Sequence, residues 1–226
     1  MIENQWIERK RRIQWQLLPF DSALKDFDSL GLILPTRDYE EHMSETLTDV
    51  QEIRNRARRH IESGAVTDEY KADRARVVRV LNEVLATELV CILRYKHHYY
   101  TAAGIHSDAV KPEFLQHAQE AQQHADLIAE RIVQLNGEPD FNPEGLAARS
   151  RSEYVTPPTL QEMIREDLVA ERIAIESYSE IIRWLGGDDI TTRIVMESIL
   201  KVEEQHAEDM KKLLGRLTLV KSNRRT

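Results

Sequence analysis

Apolar residues recur every three or four positions in four long segments of the chain, which is the spacing of an amphipathic helix. The segments cover residues 73–103, 111–135, 159–185 and 189–217. In the first segment the apolar stripe consists of Val77, Leu81, Val84, Leu85, Ile92 and Tyr95. Glycine-containing stop signals follow the first three segments, at Gly104, Asn136-Gly137 and Gly186-Gly187. The pattern predicts four long helices.

Residues 138–158 separate the second predicted helix from the third and contain Pro139, Pro143, Pro157 and Pro158. Because proline interrupts helices, this stretch is predicted to be a long connection rather than a tight turn. Each predicted helix has roughly 25 to 30 residues and is therefore about 40 Å long. The sequence thus predicts an all-α four-helix bundle with one long crossover, and helices of this length can enclose a site at mid-height.

The chain before the bundle has a different character. Residues 1–42 contain Trp6, Trp15, Phe20 and Phe27 and are predicted to form an arm that packs on its own domain or on a neighbouring subunit. A short helix is predicted for residues 46–63, with Gly64 as its stop. The predicted organisation is an N-terminal arm over residues 1–70, the bundle over 71–218 and a tail over 219–226.

Composition narrows the class of protein. Of the 226 residues, 41% are apolar and 31% are charged, with eight Gly and seven Pro, which favours helices over sheets. The net charge of -8 disfavours a nucleic-acid partner and suits a protein that attracts metal cations. Cys91 is the one cysteine, so no internal disulfide is expected. The absence of a signal-peptide pattern or a long apolar span predicts a cytoplasmic protein without a membrane partner.

Two glutamates lie on apolar stripes. Glu88 follows Val84 and Leu85 by about one turn, and Glu171 lies between Leu168 and Ile175. A buried carboxylate without a partner is very costly, so each needs a cation or a strong hydrogen bond. A tyrosine follows each glutamate by two turns, at Tyr95 and Tyr178. The first and third helices therefore look like copies of each other.

The second and fourth helices also repeat each other, since QQHAD around His124 matches EQHAE around His206. In the fourth helix Glu203 precedes His206 by three residues, which places carboxylate and imidazole on one face. This Glu-x-x-His spacing is common by itself. Inward glutamates and histidines on four separate helices are a stronger signal, and they predict a metal site in the bundle interior.

Four motifs resemble the four helices of bacterioferritins and related ferritin-like proteins, over about residues 75–217. They are LNEVLATELVCILRY, EAQQHAD, EDLVAERIAIESY and KVEEQHAEDM. The resemblance implies a ferritin-like bundle with a di-iron ferroxidase centre, where Fe(II) is oxidised by dioxygen or peroxide. It also implies a homo-oligomeric shell that stores the iron. The ligands it implies are Glu88, His124, Glu171, Glu203 and His206.

The sixth ligand of the family pattern is missing, because Ala121 stands where a glutamate would precede His124 by three residues. Glu120 lies one residue away, about 100° around the helix, and is predicted as the replacement metal ligand, which requires a shifted backbone or a long reach. His117 lies one turn earlier on the same face and is an equal alternative. The sequence leaves three outcomes open: an impaired di-iron site, a site for one ion, or a variant made to disable the centre. Of these, weakened but real metal binding is the expectation.

Four further expectations concern chemistry and assembly. Carboxylate and imidazole donors suit iron, with manganese as an alternative. Tyr95 is a candidate to supply an electron or a hydrogen bond, or to be an ordinary core tyrosine. The haem-ligand methionine of bacterioferritins would fall at Gln122, so no haem is expected. The short stretch after residue 217 favours a shell of about 12 subunits over one of 24. The alternatives are a shell or scaffold subunit with a vestigial site, and a di-metal oxidase or manganese catalase.

Overall fold

The computed structural model describes residues 47–223, with side chains to residue 217. Within this range the chain is helical and contains no strand. The helices are α1 (Val50–Ala57), α2 (Arg74–Thr101), α3 (Ser107–Gln134), α4 (Leu146–Arg149), α5 (Leu160–Leu185) and α6 (Ile190–Asn223). The four long helices confirm the predicted all-α bundle, and α4 lies in the long crossover between α3 and α5. The predicted arm over residues 1–42 falls outside the described residues.

Local chemistry explains where the bundle helices begin and end. Asp73 caps α2 by accepting a hydrogen bond from the Arg76 amide (3.0 Å), and Thr159 caps α5 by accepting one from the Glu162 amide (3.3 Å). These side chains satisfy amides that a helix leaves unpaired at its first turn. After α3, Asn136 adopts a left-handed φ of 57°. A Cβ added to Gly137 would meet a Val78 methyl at 2.7 Å, so the turn packs closely on α2.

Two helix boundaries differ from the predicted ones. Helix α3 begins at Ser107 and contains Pro112, whereas the sequence placed its start near residue 111. Helix α6 continues through Gly215 to Asn223, beyond the predicted end near residue 217. One glycine lowers helix propensity without ending a helix that is otherwise favoured.

Helix α2 packs mainly against α3, and α5 packs mainly against α6. The buried apolar residues form two separate cores, and each core contains residues from all four long helices. The first core contains Leu81, Leu85, Ile128, Ile132, Ile181, Leu185, Met196 and Ile199. The second contains Tyr95, Val110, Phe114, Met163, Ile164 and Met210. On α5 and α6 the inward polar residues Glu171, Glu203 and His206 lie between the residues of the two cores, whereas on α2 and α3 Glu88, His117 and His124 lie among core residues.

Residues 56–70, directly before α2, pack on the bundle. Helix α1 is followed by a 3-10 turn, Ile61–Ser63, and Gly64 then takes a positive φ of 59°. One compact unit begins at Arg56. The Tyr70 hydroxyl donates to Asp189 Oδ2 (2.7 Å), and Asn136 Nδ2 donates to the Ser63 carbonyl (3.2 Å). Residues 56–70, which the sequence assigned to the arm, therefore fold with the bundle. Among the described helices, none is both long and apolar enough to cross a membrane.

Candidate metal centre

Six side chains with metal-binding atoms meet in the interior of the bundle, and all six are buried. They form two groups of three, and within each group the ligand atoms lie within 4.8 Å of one another. Cluster A consists of Glu88, His124 and Glu203, and cluster B consists of His117, Glu171 and His206. Five of these residues were predicted as ligands from the sequence. The sixth, His117, was one of two candidates to replace the missing glutamate.

Cluster A joins helices α2, α3 and α6. His124 Nδ1 lies 2.8 Å from Glu203 Oε1 and 3.5 Å from Glu88 Oε2. Despite the short distance, His124 Nδ1 has no hydrogen-bond partner of acceptable geometry among the described residues. A buried nitrogen and two buried carboxylates that face one another without completing their hydrogen bonds fit a cation between them.

Cluster B joins helices α3, α5 and α6. Glu171 contacts both histidines, with Oε1 3.9 Å from His117 Nδ1 and Oε2 3.8 Å from His206 Nδ1. The two imidazole rings are stacked, with centroids 3.8 Å apart. One carboxylate thus faces two ring nitrogens, a donor set of nitrogen and oxygen that suits iron or manganese.

Glu203 connects the two clusters. Its Oε1 contacts His124 of cluster A at 2.8 Å, and its Oε2 lies 3.3 Å from His206 Nδ1 of cluster B. The oxygens of one carboxylate are only about 2 Å apart, so the clusters are immediate neighbours. Glu203 is therefore placed to contact two cations at once.

Two tyrosines donate hydrogen bonds to two of the glutamates, and the two hydrogen bonds are arranged symmetrically. The Tyr95 hydroxyl on α2 donates to Glu171 Oε1 on α5, and the Tyr178 hydroxyl on α5 donates to Glu88 Oε1 on α2. Tyr95 also lies 3.3 Å from His117 Nδ1. The internal repeat seen in the sequence thus becomes a pair of crossed hydrogen bonds, which hold each glutamate in position.

The structure separates the two candidates for the missing ligand. Ala121 is buried within the first apolar core, and His117, one turn earlier, belongs to cluster B. Glu120 lies outside both clusters, with a side chain 29% exposed and its Oε2 2.7 Å from His206 Nε2. This contact favours a proton on Nε2 and leaves Nδ1 of His206 to face Glu171 and Glu203. Glu120 is thus placed to orient an imidazole rather than to complete a cluster.

Electrostatics differ among the three histidines. Burial opposes protonation of His124 and His206, but nearby carboxylates outweigh it. Glu203 and Glu88 raise the pKa of His124 to about 10, and Glu171 and Glu203 raise the pKa of His206 to about 11. Burial and the charge of His206 lower the pKa of His117 to about 4. In the metal-free protein, protons on His124 and His206 thus balance the glutamates.

The glutamates are coupled to one another. Burial, and then the neighbouring charge of Glu203, raise the pKa of Glu171 to about 7. Burial also opposes ionisation of Glu203, but its close contacts with Glu171, His124 and His206 lower its pKa overall. The pair therefore holds part of a proton at neutral pH, and a cation would replace it.

A second buried polar network, missed in the sequence, adjoins cluster B. Asp167, one turn before Glu171, lies 2.9 Å from His98 Nδ1 and 3.2 Å from Arg94 Nε. Arg94 Nη1 also donates to the carbonyl of Glu153 (2.8 Å) in the crossover. The network thus fixes the crossover to α2 beside the site. The i,i+4 spacing of Arg94 and His98 places both on one face of α2 and could have indicated a shared partner. That partner lies on another helix, so the sequence did not identify it.

Comparisons with known proteins agree with this geometry. The family description "Ferritin-like domain" matches residues 78–220. Bacterioferritin of Desulfovibrio desulfuricans is 30% identical over 135 residues, which are 59% of this chain and 71% of the relative. The DNA protection during starvation protein of Pyrococcus furiosus is 31% identical over 127 residues, 52% of this chain and 68% of that protein.

Among solved structures, the bacterioferritin-related protein of Bacteroides fragilis, described as a dodecameric thioferritin, superposes with a TM-score of 0.65. It is 30% identical and covers 68% of this chain and 92% of its own. Dps from Thermosynechococcus elongatus has a TM-score of 0.59 at 21% identity, covering 62% of this chain and 90% of its own. At that identity the likeness concerns the fold alone.

Proposed function

The chain belongs to the family of proteins with a ferritin-like domain, and from this membership we propose that it binds Fe(II) in the bundle interior, oxidises it there and stores the product in a shell of identical subunits. The resemblance to bacterioferritins and the ferritin-like fold are confirmed. The iron chemistry and the shell are the proposal.

The observation that carries the proposal is Glu203 between clusters A and B. It contacts His124 on one side and His206 on the other, so cations held in the two clusters would share one carboxylate. The six donors are three carboxylates and three imidazoles, a set that suits Fe(II), with Mn(II) as the alternative. Ala121 replaces the glutamate of the family pattern, but with His117 as the sixth donor the site still has enough ligands for two ions.

Adjacent Fe(II) ions suit a two-electron oxidant. Each Fe(II) loses one electron to become Fe(III), and dioxygen takes up two electrons and two protons to give hydrogen peroxide. With peroxide as the oxidant, the same two electrons and two protons give water. The residues of the chain hold the ions side by side and keep the carboxylates oriented, with Tyr95 on Glu171, Tyr178 on Glu88 and Glu120 on His206. Tyr95 thus has a hydrogen-bonding role in the proposal.

Assembly into a shell is inferred from relatives. The match to the Bacteroides fragilis structure covers 92% of that protein's chain, and that protein is described as dodecameric. We therefore propose a homo-oligomer with about 12 subunits in preference to about 24. Analytical ultracentrifugation of the full chain distinguishes these sizes directly.

The main test compares two adjacent glutamates on α6. Glu203 is buried between the clusters, whereas Glu204 is exposed. We expect Glu203→Gln to slow Fe(II) oxidation by more than about 100-fold, because it removes the shared carboxylate. Glu204→Gln changes the charge equally and should leave the rate unchanged. Equal rates in wild type and Glu203→Gln would instead support a shell subunit with a vestigial site.

A second test concerns the sixth ligand. We expect His117→Gln to reduce the Fe(II) bound anaerobically from about two ions per chain to about one. Ala121→Glu, added to that variant, should restore the second ion, because a carboxylate would then stand one turn from the lost imidazole. Ala121→Glu alone should not increase the number of ions bound. An increase would show that His117 does not complete cluster B.

A further inference from the structure

His117 has a second face that cluster B does not use. Its Nδ1 lies toward Tyr95 and Glu171, whereas its Nε2 lies toward Glu113, one turn earlier on α3. Glu113, His117 and Asp209 offer ligand atoms within 4.8 Å of one another. We propose that these three residues form an outer divalent-cation site from which a cation passes to cluster B through His117. This inference rests on the proposed function, because it supplies a route for the cations used there.

The unsatisfied nitrogen of His117 supports a ligand at this position. The side chain is 1% exposed, and its Nε2 is 3.9 Å from Glu113 Oε1, too far for a hydrogen bond. Among the described residues Nε2 has no hydrogen-bond partner. Buried polar atoms in folded proteins are nearly always paired, so an unpaired nitrogen that faces two carboxylates indicates a missing partner. A divalent cation matches both the nitrogen and the carboxylates.

The burial of the three residues places the site between solvent and the interior. The side chain of Glu113 is 33% exposed and that of Asp209 is 24% exposed. The glutamate and histidines of cluster B are at most 5% exposed. A cation from solvent can therefore reach Glu113 and Asp209 first, and His117 is the ligand that both sites share.

The chemistry of imidazole determines how the two sites are used. A neutral imidazole has one nitrogen with a free lone pair and one that carries a proton. When Nε2 binds a cation in the outer site, the proton is on Nδ1, where Tyr95 and Glu171 lie. When Nδ1 binds a cation in cluster B, the proton is on Nε2, facing Glu113. His117 thus serves one site at a time, so the outer site should affect the rate of loading and not the final number of ions.

Lys212 competes with a cation for Asp209. Its Nζ donates to Asp209 Oδ1 at 2.9 Å, while Gln205 donates to Asp209 Oδ2 at 2.9 Å. The Lys212 side chain is 55% exposed, and an exposed ion pair of this kind is easily displaced. Lys212 is therefore expected to slow loading, and its removal should have the opposite effect to the removal of Asp209.

The test follows the binding of Co(II) by stopped-flow visible absorption, with wild-type protein and full-length variants. The phase that is lost in Glu171→Gln reports cluster B, because Glu171 belongs to that cluster and not to the outer site. We expect Glu113→Gln and Asp209→Asn each to slow this phase by about tenfold, with the final number of Co(II) ions unchanged. Lys212→Gln should accelerate it. Glu208→Gln and Lys211→Gln are matched controls, because these residues form an exposed ion pair on the same helix.

The outcomes separate the inference from the proposed function. If Glu113→Gln and Asp209→Asn load Co(II) as fast as Glu208→Gln does, the outer site is refuted while the inner clusters stand. The same conclusion follows if Glu120→Gln slows loading and Glu113→Gln does not, since the route would then pass Glu120. If Glu203→Gln binds as much Co(II) as wild type, the proposed function itself fails.

Discussion

Filling the two clusters with a cation should release protons, and the pKa values predict how many. The perturbation is the addition of Zn(II) to the metal-free protein at pH 7. Zn(II) is chosen because it is not oxidised, so every proton released comes from the protein or from water bound to the ion. Metal ligands must give up their protons before they bind, and the release therefore reports their protonation in the metal-free state.

The number of protons released follows from the pKa values of four groups. With a pKa of about 10 for His124 and about 11 for His206, both imidazoles carry a proton at pH 7. Glu171, whose pKa burial raises to about 7, contributes part of a proton, and His117, with a pKa of about 4, contributes none. We therefore expect a release of about two to three protons per chain. As a consequence, Zn(II) affinity falls as the pH is lowered.

Isothermal titration calorimetry in buffers of different ionisation enthalpy measures this release. We expect His124→Gln and His206→Gln each to reduce the number by about one. His97→Gln is a matched control, because His97 lies outside both clusters. Binding without proton release would refute the reasoning, since it would show that both imidazoles are already neutral in the metal-free protein.

Three further predictions concern stability and the tyrosines. Arg94→Met leaves the buried Asp167 carboxylate without the Arg94 guanidinium. The variant should lower the free energy of unfolding, measured by urea denaturation, by about 3–5 kcal/mol. Adding Asp167→Leu should recover most of that loss. Tyr178→Phe removes the hydrogen bond to Glu88 and should weaken Zn(II) binding by about tenfold in calorimetry, whereas Phe at the exposed Tyr100 should not. The raised pKa values of His124 and His206 stabilise the metal-free fold fully below pH 6.5, and this contribution is lost as the pH rises through about 10 and 11. The melting temperature of the metal-free protein should therefore fall over that range, and a constant value would contradict the assigned protonation.

The sequence was sufficient to predict the bundle and to identify most of the residues that the structure brings together in the candidate centre. Apolar residues at helical spacing located the four long helices, and a carboxylate or imidazole on such a stripe can point only to the interior. Glu88 and Glu171 were identified in this way, and the internal repeat added His124 and His206. Clusters A and B contain all four of these residues.

The sequence could not choose between His117 and Glu120. Both lie close to Ala121 on α3, and the choice depends on where the neighbouring helices place their side chains. Glu171 and His206 face His117 from α5 and α6, whereas Glu120 meets the Nε2 of His206 and the Gln116 amide. The Arg94–Asp167 ion pair could not be predicted from the sequence either. Its partners are 73 positions apart, and only the packing of α2 on α5 brings them together.

The most direct test of the central claim is the location of bound metal in crystals of the full chain, by anomalous diffraction after soaking with Zn(II). If both clusters bind a cation, two strong peaks per subunit are expected, one among Glu88, His124 and Glu203 and the other among His117, Glu171 and His206. A single peak in the interior, or peaks confined to the surface, would contradict that claim.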